Sequence, residues 1–563
     1  MPSRFYLPSL VRSLRLRESH LAAFQAFLMG MAGALAALLF EAGAEAVQYL
    51  YTGIGGGRVA CFMQLPPLWR VLLPMLGAIP AALVLWVALK RAKKPIPDYM
   101  EAFSLGNGRL PRRQGLLRSL SAVLSLGSGA CIGKEGALMQ ISAVAASAVG
   151  RYLQVSAPRL RLMVGCGAVA GMTAAFHTPL AACLFVCEVL VGTFSIGHLA
   201  PLLVAGCSAY GLLWLLGDTA PLFATDVSFG TLPQVLLCMG LAVIAAVGGK
   251  LWTAVLNTAR RFLSGRPAWV LPRLMAAGLL VGLAAWYEPY IVGNGQESIA
   301  ALVNGSLGGT ERVAVLLGLK MLLVAVVFGV GTMGGVLTPT LMLGCFGGYL
   351  YGVLTGASDP LPYALAGMAA FFAVAARSPI TALILVIELT LDASLIFPLM
   401  MTVAVAYAVA RLLPGGSLYD NSLKASDSPF EGSVAGMRVA DMMRTAAMRV
   451  HVDTPAERLR RLQHLHAGEP VPVTDADDRC VGMVTELPAV ADATAQQLMR
   501  TDIPLLQPEE SLVSALDKFS HCTGVTALPV TDARGRLCGM VSRAELYRTA
   551  ALLLRRELAE QRL

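Results

Sequence analysis

The stretch GSGACIGKEGALMQ, residues 127–140, sets one lysine and one glutamate among four glycines inside a long apolar region. A carboxylate at membrane depth costs about 2.5 kcal/mol or more on insertion scales, so Glu135 reads first as a functional residue. The glycines leave the backbone bare, and the following ALMQISAVAASAVG reads as a helix whose first turn begins near Gly136. Free N–H groups at a helix start, with the positive end of its dipole, make an anion site. In membrane proteins such broken helices occur where irregular backbone lines a cavity. The competing reading is a glycine-rich turn with Lys134 and Glu135 as a local ion pair. An anion pathway containing Glu135 accounts for more of the stretch.

The elements that must position these residues are membrane spans. The chain has 563 residues, of which 56% are hydrophobic and only 14% charged, and its mean hydropathy is +0.65. A span needs about 20 mostly apolar residues, and the apolar character persists to about Leu413 before an ordinary soluble composition takes over. The net charge of +9 is spread over N-terminal arginines, short loops and the tail. It reads as positive-inside bias and a solvated surface, with no nucleic-acid partner expected. Eleven cysteines form no CxxC pair and imply neither metal nor disulfide, and Cys183 and Cys187 at i, i+4 read as packing. Residues 1–20 are basic and run straight into an apolar span, so no cleavable signal peptide is expected.

The expected order is a cytoplasmic segment (residues 1–20), a transmembrane domain (21–425) in two repeats of about 21–218 and 233–423, and two small modules, 434–497 and 498–557. First spans fall at about Leu21–Leu50 and Leu68–Leu89, with RAKK (Arg91–Lys94) on the cytoplasmic side. Apolar segments near Ser119–Leu126, Ala137–Val149 and Ala168–Ala175 read as short, tilted or partly spanning helices packed through small residues. The repeats rest on PLAACLFVCEVL (Pro179–Leu190) and PITALILVIELT (Pro379–Thr390), 379 − 179 = 200 residues apart, each with a glutamate nine residues after its proline. AGM precedes both copies, and GTMGGVLTPTLMLG (Gly331–Gly344) is a second glycine-rich helix start. Two halves of this kind place a binding site where they meet. In the tail, PVTD at 472 and 529 and GMV at 482 and 539 recur at 57 residues (529 − 472, 539 − 482). Each copy reads as helix, strand, turn, strand, helix: two α/β modules packed on one another.

Together these motifs resemble the CLC family of chloride channels and chloride/proton exchangers, carrying a cytoplasmic pair of CBS domains. DYMEA (Asp98–Ala102), the SGxxIGKEGA run and FVCEVLVGT (Phe185–Thr193) look closest to its bacterial ClcB-type branch. The resemblance implies an α-helical polytopic membrane protein with the CLC-type inverted-repeat fold of broken and tilted helices, plus the α/β CBS pair. It also implies a homodimer in the bacterial inner membrane with one pore per subunit. Glu135 matches the gating glutamate whose carboxylate competes with anions. Gly133, Lys134 and Gly136 complete that motif. Gly334, Gly335, Val336, Leu337, Thr338 and Pro339 match the second filter motif, whose backbone N–H groups face the anion, and Tyr419 matches the tyrosine whose hydroxyl caps the site from inside. The alternative for Tyr419 is an interfacial anchor.

Two departures bear on mechanism. The family's Gly-Ser-Gly-Ile-Pro motif aligns with Lys93–Pro97, so the anion-binding serine is missing and Lys94 stands in its place. Lys94 is either an attractive charge at the inner vestibule or part of a cytoplasmic basic loop, and the sequence leaves both open. Exchangers commonly carry a proton-transfer glutamate directly after the position of Glu188, where this chain has Val189. The expected function is therefore passive or weakly proton-coupled chloride transport, with exchange through a replacement proton path as the alternative. Glu188 and Glu388 are expected in buried structural hydrogen bonds, and His177 at a helix end. No covalent chemistry and no required cofactor are expected, and chloride is the ligand. In the CBS pair, Thr485 lacks the acid three residues on that commonly holds a ribose, whereas Ser542 is followed by Glu545. An adenine-nucleotide site and a purely structural pair both stay open. A fluoride-selective member, a nucleotide-regulated sensor without flux and a metal-cation transporter are weaker readings, because Tyr419 and both filter motifs are present and acidic clusters in the spans are nearly absent.

Overall fold

The structure, a computed structural model, describes residues 18–419 apart from 91–97, 105–107, 154, 156, 193–195, 218–219, 224, 226 and 228–231. In the tail it describes 438–550 apart from 446–448, 466–469, 486–492, 523–524 and 548. The chain divides into two compact units, Met1–Ala425 and Ser426–Leu563. Lys94 lies outside the described residues.

The first unit is all helical. It opens with α1 (Glu18–Thr52), α2 (Arg58–Gln64), α3 (Pro67–Lys90) and α4 (Tyr99–Ser104). The first half then runs α5 (Arg112–Gly127), α6 (Glu135–Tyr152), α7 (Ala157–Phe176), α8 (Pro179–Phe185) and α9 (Ile196–Leu215). The second half opens with α10 (Leu232–Leu263), α11 (Val270–Tyr287) and α12 (Gln296–Val303). It then matches the first five for five, with α13 (Thr310–Gly329), α14 (Leu337–Leu354), α15 (Leu361–Ala376), α16 (Pro379–Thr390) and α17 (Ile396–Leu412). Eight helices among the described residues are long and apolar enough to cross a membrane.

The segments expected to be partly spanning are helices of 16, 18 and 20 residues, and none of them is among those eight. Their glycines and serines do not break them, because a neighbouring backbone fills the space a side chain would take. A Cβ on Gly171 would sit 2.7 Å from the Leu138 carbonyl, and one on Gly167 2.6 Å from that of Ser142. Small residues here permit close helix contact.

The two halves share their punctuation. α5 and α13 both give way to a glycine with φ of +91°, Gly129 and Gly331. α7 and α15 both end on a left-handed residue, His177 (φ 59°) and Arg377 (φ 56°). A proline at the first helical position then opens α8 and α16, where its missing N–H is harmless. From Val186 to Val191 the first copy continues as a π-helical turn, whereas α16 stays α-helical. The repeat glutamates are exchanged between halves. Glu388 accepts the N–H groups of Leu180 (3.0 Å) and Ala181 (2.7 Å) at the start of α8. Glu188 accepts those of Ile380 (3.1 Å) and Thr381 (2.8 Å), plus the Thr381 hydroxyl, at the start of α16. Each carboxylate thus caps the other half's helix, the structural role expected for the pair.

The second unit holds two three-stranded sheets, β1-β6-β5 and β2-β3-β4. The hairpins are β3 (Val471–Thr474) with β4 (Cys480–Val484), and β5 (Ala527–Thr531) with β6 (Leu537–Ser542). β2 (Val450–His451) runs parallel to β3. β1 (Arg444–Thr445) crosses to the later module and pairs with β6, so the expected boundary at 497 does not separate the two sheets. Val439 and Met442 accordingly pack in the core with Leu506, Phe519 and Val541. The hairpin turns meet edge to edge, Cys480 N–H donating to Gly535 O (3.0 Å) and Leu537 N–H to Asp478 O (3.2 Å).

Candidate functional site

The two glycine-rich loops meet. Gly133 N–H donates to Gly335 O and Gly335 N–H to Gly133 O, each at 2.7 Å, a reciprocal antiparallel bridge between equivalent positions of the halves. Only glycine allows the approach: a Cβ on Gly335 would lie 2.7 Å from Gly136 N, and one on Gly136 3.0 Å from the Gly335 Cα. The bridge brings two helix starts together, α6 at Glu135 and α14 at Leu337, so their first-turn N–H groups, which have no intrahelical acceptor, converge.

A cavity of about 300 Å³ opens at this junction. Of the expected site residues, Glu135, Gly136, Gly335, Val336, Leu337 and Tyr419 line it. Gly133 and Lys134 do not. The Gly133 amide is spent on the bridge, so it cannot also face an anion. Lys134 forms an ion pair with Glu41 of α1 at 2.6 Å, which removes both the local pair with Glu135 and the anion-ligand role from its ammonium. Tyr419 stacks edge-on against Phe185, ring centroids 5.4 Å apart, and the backbone before it is pinned by Leu418 N–H on Ala375 O (2.9 Å). This holds the ring in the cavity wall.

Glu135 is fully buried. Its Oε1 accepts the Asn294 amide (3.2 Å) and the Thr338 hydroxyl. Its Oε2 has no hydrogen-bond partner and faces the bare Cα of Gly133, where a Cβ would be 2.2 Å away. The carboxylate is thus held by neutral donors at one oxygen and left open at the other.

Four further residues carry weight that the residue pattern alone did not assign. Asn294 lies in GNGQES, 159 positions from Glu135, and only its glycine neighbours hinted at a tight turn. Arg118 of α5 and Arg260 of α10 line the same cavity, as does Asp98. In the tail, Ser542 Oγ accepts the Glu545 N–H (3.2 Å), and the Glu545 carboxylate is bound by Arg444 of β1 at 2.6 Å. Thr485 directly follows β4.

Comparison with known proteins agrees with this architecture. Residues 76–411 match the family model described as "Voltage gated chloride channel", and residues 495–551 match "CBS domain". A relative from Ralstonia nicotianae, "Putative chloride channel protein ClcB-like", is 35% identical over 411 residues, covering 70% of this chain and 95% of that protein. The Escherichia coli "Voltage-gated ClC-type chloride channel ClcB" is 31% identical over 414 residues, covering 70% and 96%. Among solved structures, a slow cyanobacterial Cl-/H+ antiporter superposes with a TM-score of 0.61 at 22% identity, covering 71% of this chain and 96% of that one. A eukaryotic CLC transporter gives 0.59 at 18% identity and covers 93% of this chain and 97% of its own. At these identities the structures speak to the fold alone. The helical repeats, the bridged glycine loops and the sequence relatives together show that this chain belongs to the CLC family of chloride channels and transporters, as a multi-span integral membrane protein with a C-terminal CBS pair.

Proposed function

We propose that the protein conducts chloride across the membrane through a pore in each subunit, gated by Glu135, with weak or no coupling to protons. The observation that carries this reading is the placement of a buried carboxylate where two helix N-termini converge on a cavity. An anion entering such a site exchanges hydration for fixed N–H dipoles and is not trapped by a full countercharge. As a carboxylate, Glu135 occupies the anion position and blocks it. Protonation, or displacement by chloride, swings it aside. Arg118 and Arg260 lend the cavity positive potential, the role the sequence left open for Lys94. Tyr419 supplies the inner boundary.

Val189 sits buried on the π-helical turn. With no ionisable group at that position the inward proton route lacks its relay, which supports the weakly coupled reading. A second reading, chloride/proton exchange by a non-standard path, draws on Asp98, a carboxylate in the wall of the same cavity as Glu135. Within this proposal the protein is a homodimer in lipid, in the bacterial inner membrane with its CBS pair cytoplasmic, and it needs no cofactor and catalyses no covalent step.

Purified protein in liposomes tests both readings. Wild-type chloride efflux is expected to rise as pH falls, and Glu135→Gln to keep efflux while losing its pH dependence. An imposed chloride gradient is expected to drive little proton movement. Efflux that stays pH-dependent in Glu135→Gln would sink the gate. Stoichiometric uphill proton pumping would replace conduction with exchange.

A further inference from the structure

Lys320, on α13, is completely buried among the helices of the membrane unit. Among the described residues its ammonium has no carboxylate within ion-pair distance. Nζ donates instead to two backbone carbonyls, Ile291 O and Gly293 O, both at 2.9 Å. A buried lysine of this kind satisfies its donors at the expense of chain freedom: whatever supplies the carbonyls is fixed in place.

What it fixes is the turn before α12. Gly293 and Gly295 take left-handed φ of 69° and 99°, a backbone that L side chains rarely adopt. The turn points both carbonyls at Lys320 and leaves Asn294 directly after them. Asn294 Oδ1 accepts the Gln296 N–H (3.2 Å), which sets the orientation of the amide, and its Nδ2 then donates to Glu135 Oε1 (3.2 Å). The connection Lys320, turn, Asn294, Glu135 joins α13 to the start of α6 across the halves.

We propose that Asn294 is a positioning residue for the gate, and that Lys320 acts through it. Resting on the reading of Glu135 as the gate, the inference is that this tether holds the carboxylate in its blocking position. The tether biases the gate toward its closed position, so losing it is read as opening at a lower proton concentration. The other ionisable groups around Glu135 are Asp98, Tyr99, Arg118, Arg260 and Tyr419 in the cavity wall. Behind the turn are Lys320, Cys131 and Glu297, and the carboxylate of Glu297 caps α2 through Arg58 N (2.8 Å) and Val59 N (3.0 Å). Lys134 is held by Glu41. An Asn294 substitution changes none of these charges, so a shift in midpoint reports the lost amide.

The experiment is chloride efflux from proteoliposomes across a pH series for wild type, Asn294→Ala, Lys320→Met and the pair, each also in the Glu135→Gln background. Asn294→Ala is expected to move the activation midpoint to higher pH by about one unit, a tenfold change in the proton concentration that opens the gate. Lys320→Met shifts it the same way, and the double variant shifts it no further than the larger single one. Efflux in Glu135→Gln stays pH-independent with or without either change. An unmoved midpoint in folded Asn294→Ala overturns the inference and leaves the gate standing, whereas pH dependence surviving in Glu135→Gln alone overturns the gate. Additive shifts in the double variant overturn the link between Lys320 and Asn294. Lys320→Gln, a neutral donor, replaces Lys320→Met in all arms if the latter does not accumulate.

Discussion

Glu135, Glu188 and Glu388 are all carboxylates at helix starts in an apolar unit, and their surroundings give them different work. Glu188 and Glu388 each take two backbone N–H groups of another helix, so both oxygens are occupied. Glu135 has two donors on one oxygen and none on the other. A fully bonded carboxylate is fixed, while one with an open oxygen can take a proton there. The structural pair should show in stability. Glu388→Ala leaves two amides uncapped, and with hydrogen bonds to charged groups worth about 1.5–3 kcal/mol each, a loss of roughly 3 kcal/mol is expected. Thermal unfolding of the detergent-solubilised variant checks it: a clearly lowered melting temperature with unaltered anion selectivity is the expected result, and a wild-type melting temperature refutes it. Lys134 shows the limit of reading at this scale. It is next to Glu135 in sequence, yet its partner is Glu41, 93 residues away.

At the scale of elements, the decisive unit is the loop–helix pair, Gly129 to α6 and Gly331 to α14. Neither forms a site alone, because each loop completes its backbone bonds on the other. The glycines at the contact are therefore packing requirements of the pore. In Gly335→Ala the new Cβ falls on the Gly136 N at 2.7 Å, so the loops must part. Overpacking of this kind costs about 1–3 kcal/mol. Spent on the geometry of the anion site, that is about tenfold or more in flux. Chloride efflux from Gly335→Ala at matched protein density measures it, and wild-type flux would show that the bridge does not shape the pathway. The same scale explains why the glycine-rich segments stay helical. Runs rich in Gly, Ser and Ala look like breaks in an isolated window but are continuous where a neighbouring backbone lies against them, as at Gly167 and Gly171.

For the molecule as a whole, the two units call for separate arguments. In the membrane unit, the internal duplication and the site are one fact: equivalent residues meet, Gly133 with Gly335, and equivalent glutamates exchange caps. In the soluble unit, the strand from Arg444 to Thr445 ties the start of the tail to its last sheet. Through Arg444 it also occupies the carboxylate of Glu545, the one acid that suggested a ribose site. Ser542 is engaged by the Glu545 N–H. We propose that the pair is structural, and titration calorimetry of the full-length protein with ATP and with AMP is expected to show no binding heat. Saturable heat with either nucleotide would restore the ligand reading.

Much of this was legible in the chain alone. Hydropathy placed the spans to within three residues at α1 and α3, because a membrane demands long apolar runs whatever packs against them. The repeats were visible because duplicated backbone needs duplicated punctuation, and Pro179 and Pro379 mark the same helix start. Glu135 stood out because a charge among glycines at membrane depth is too costly to persist without a role. What tertiary structure alone decided was the partner of each polar group. Lys134 turned to Glu41, Gly133 gave its amide to the bridge, Asn294 reached Glu135 from the other half, and Lys320 held the turn that carries Asn294. Those choices depend on which backbones come within about 3 Å of one another, a distance that spacing along the chain does not encode.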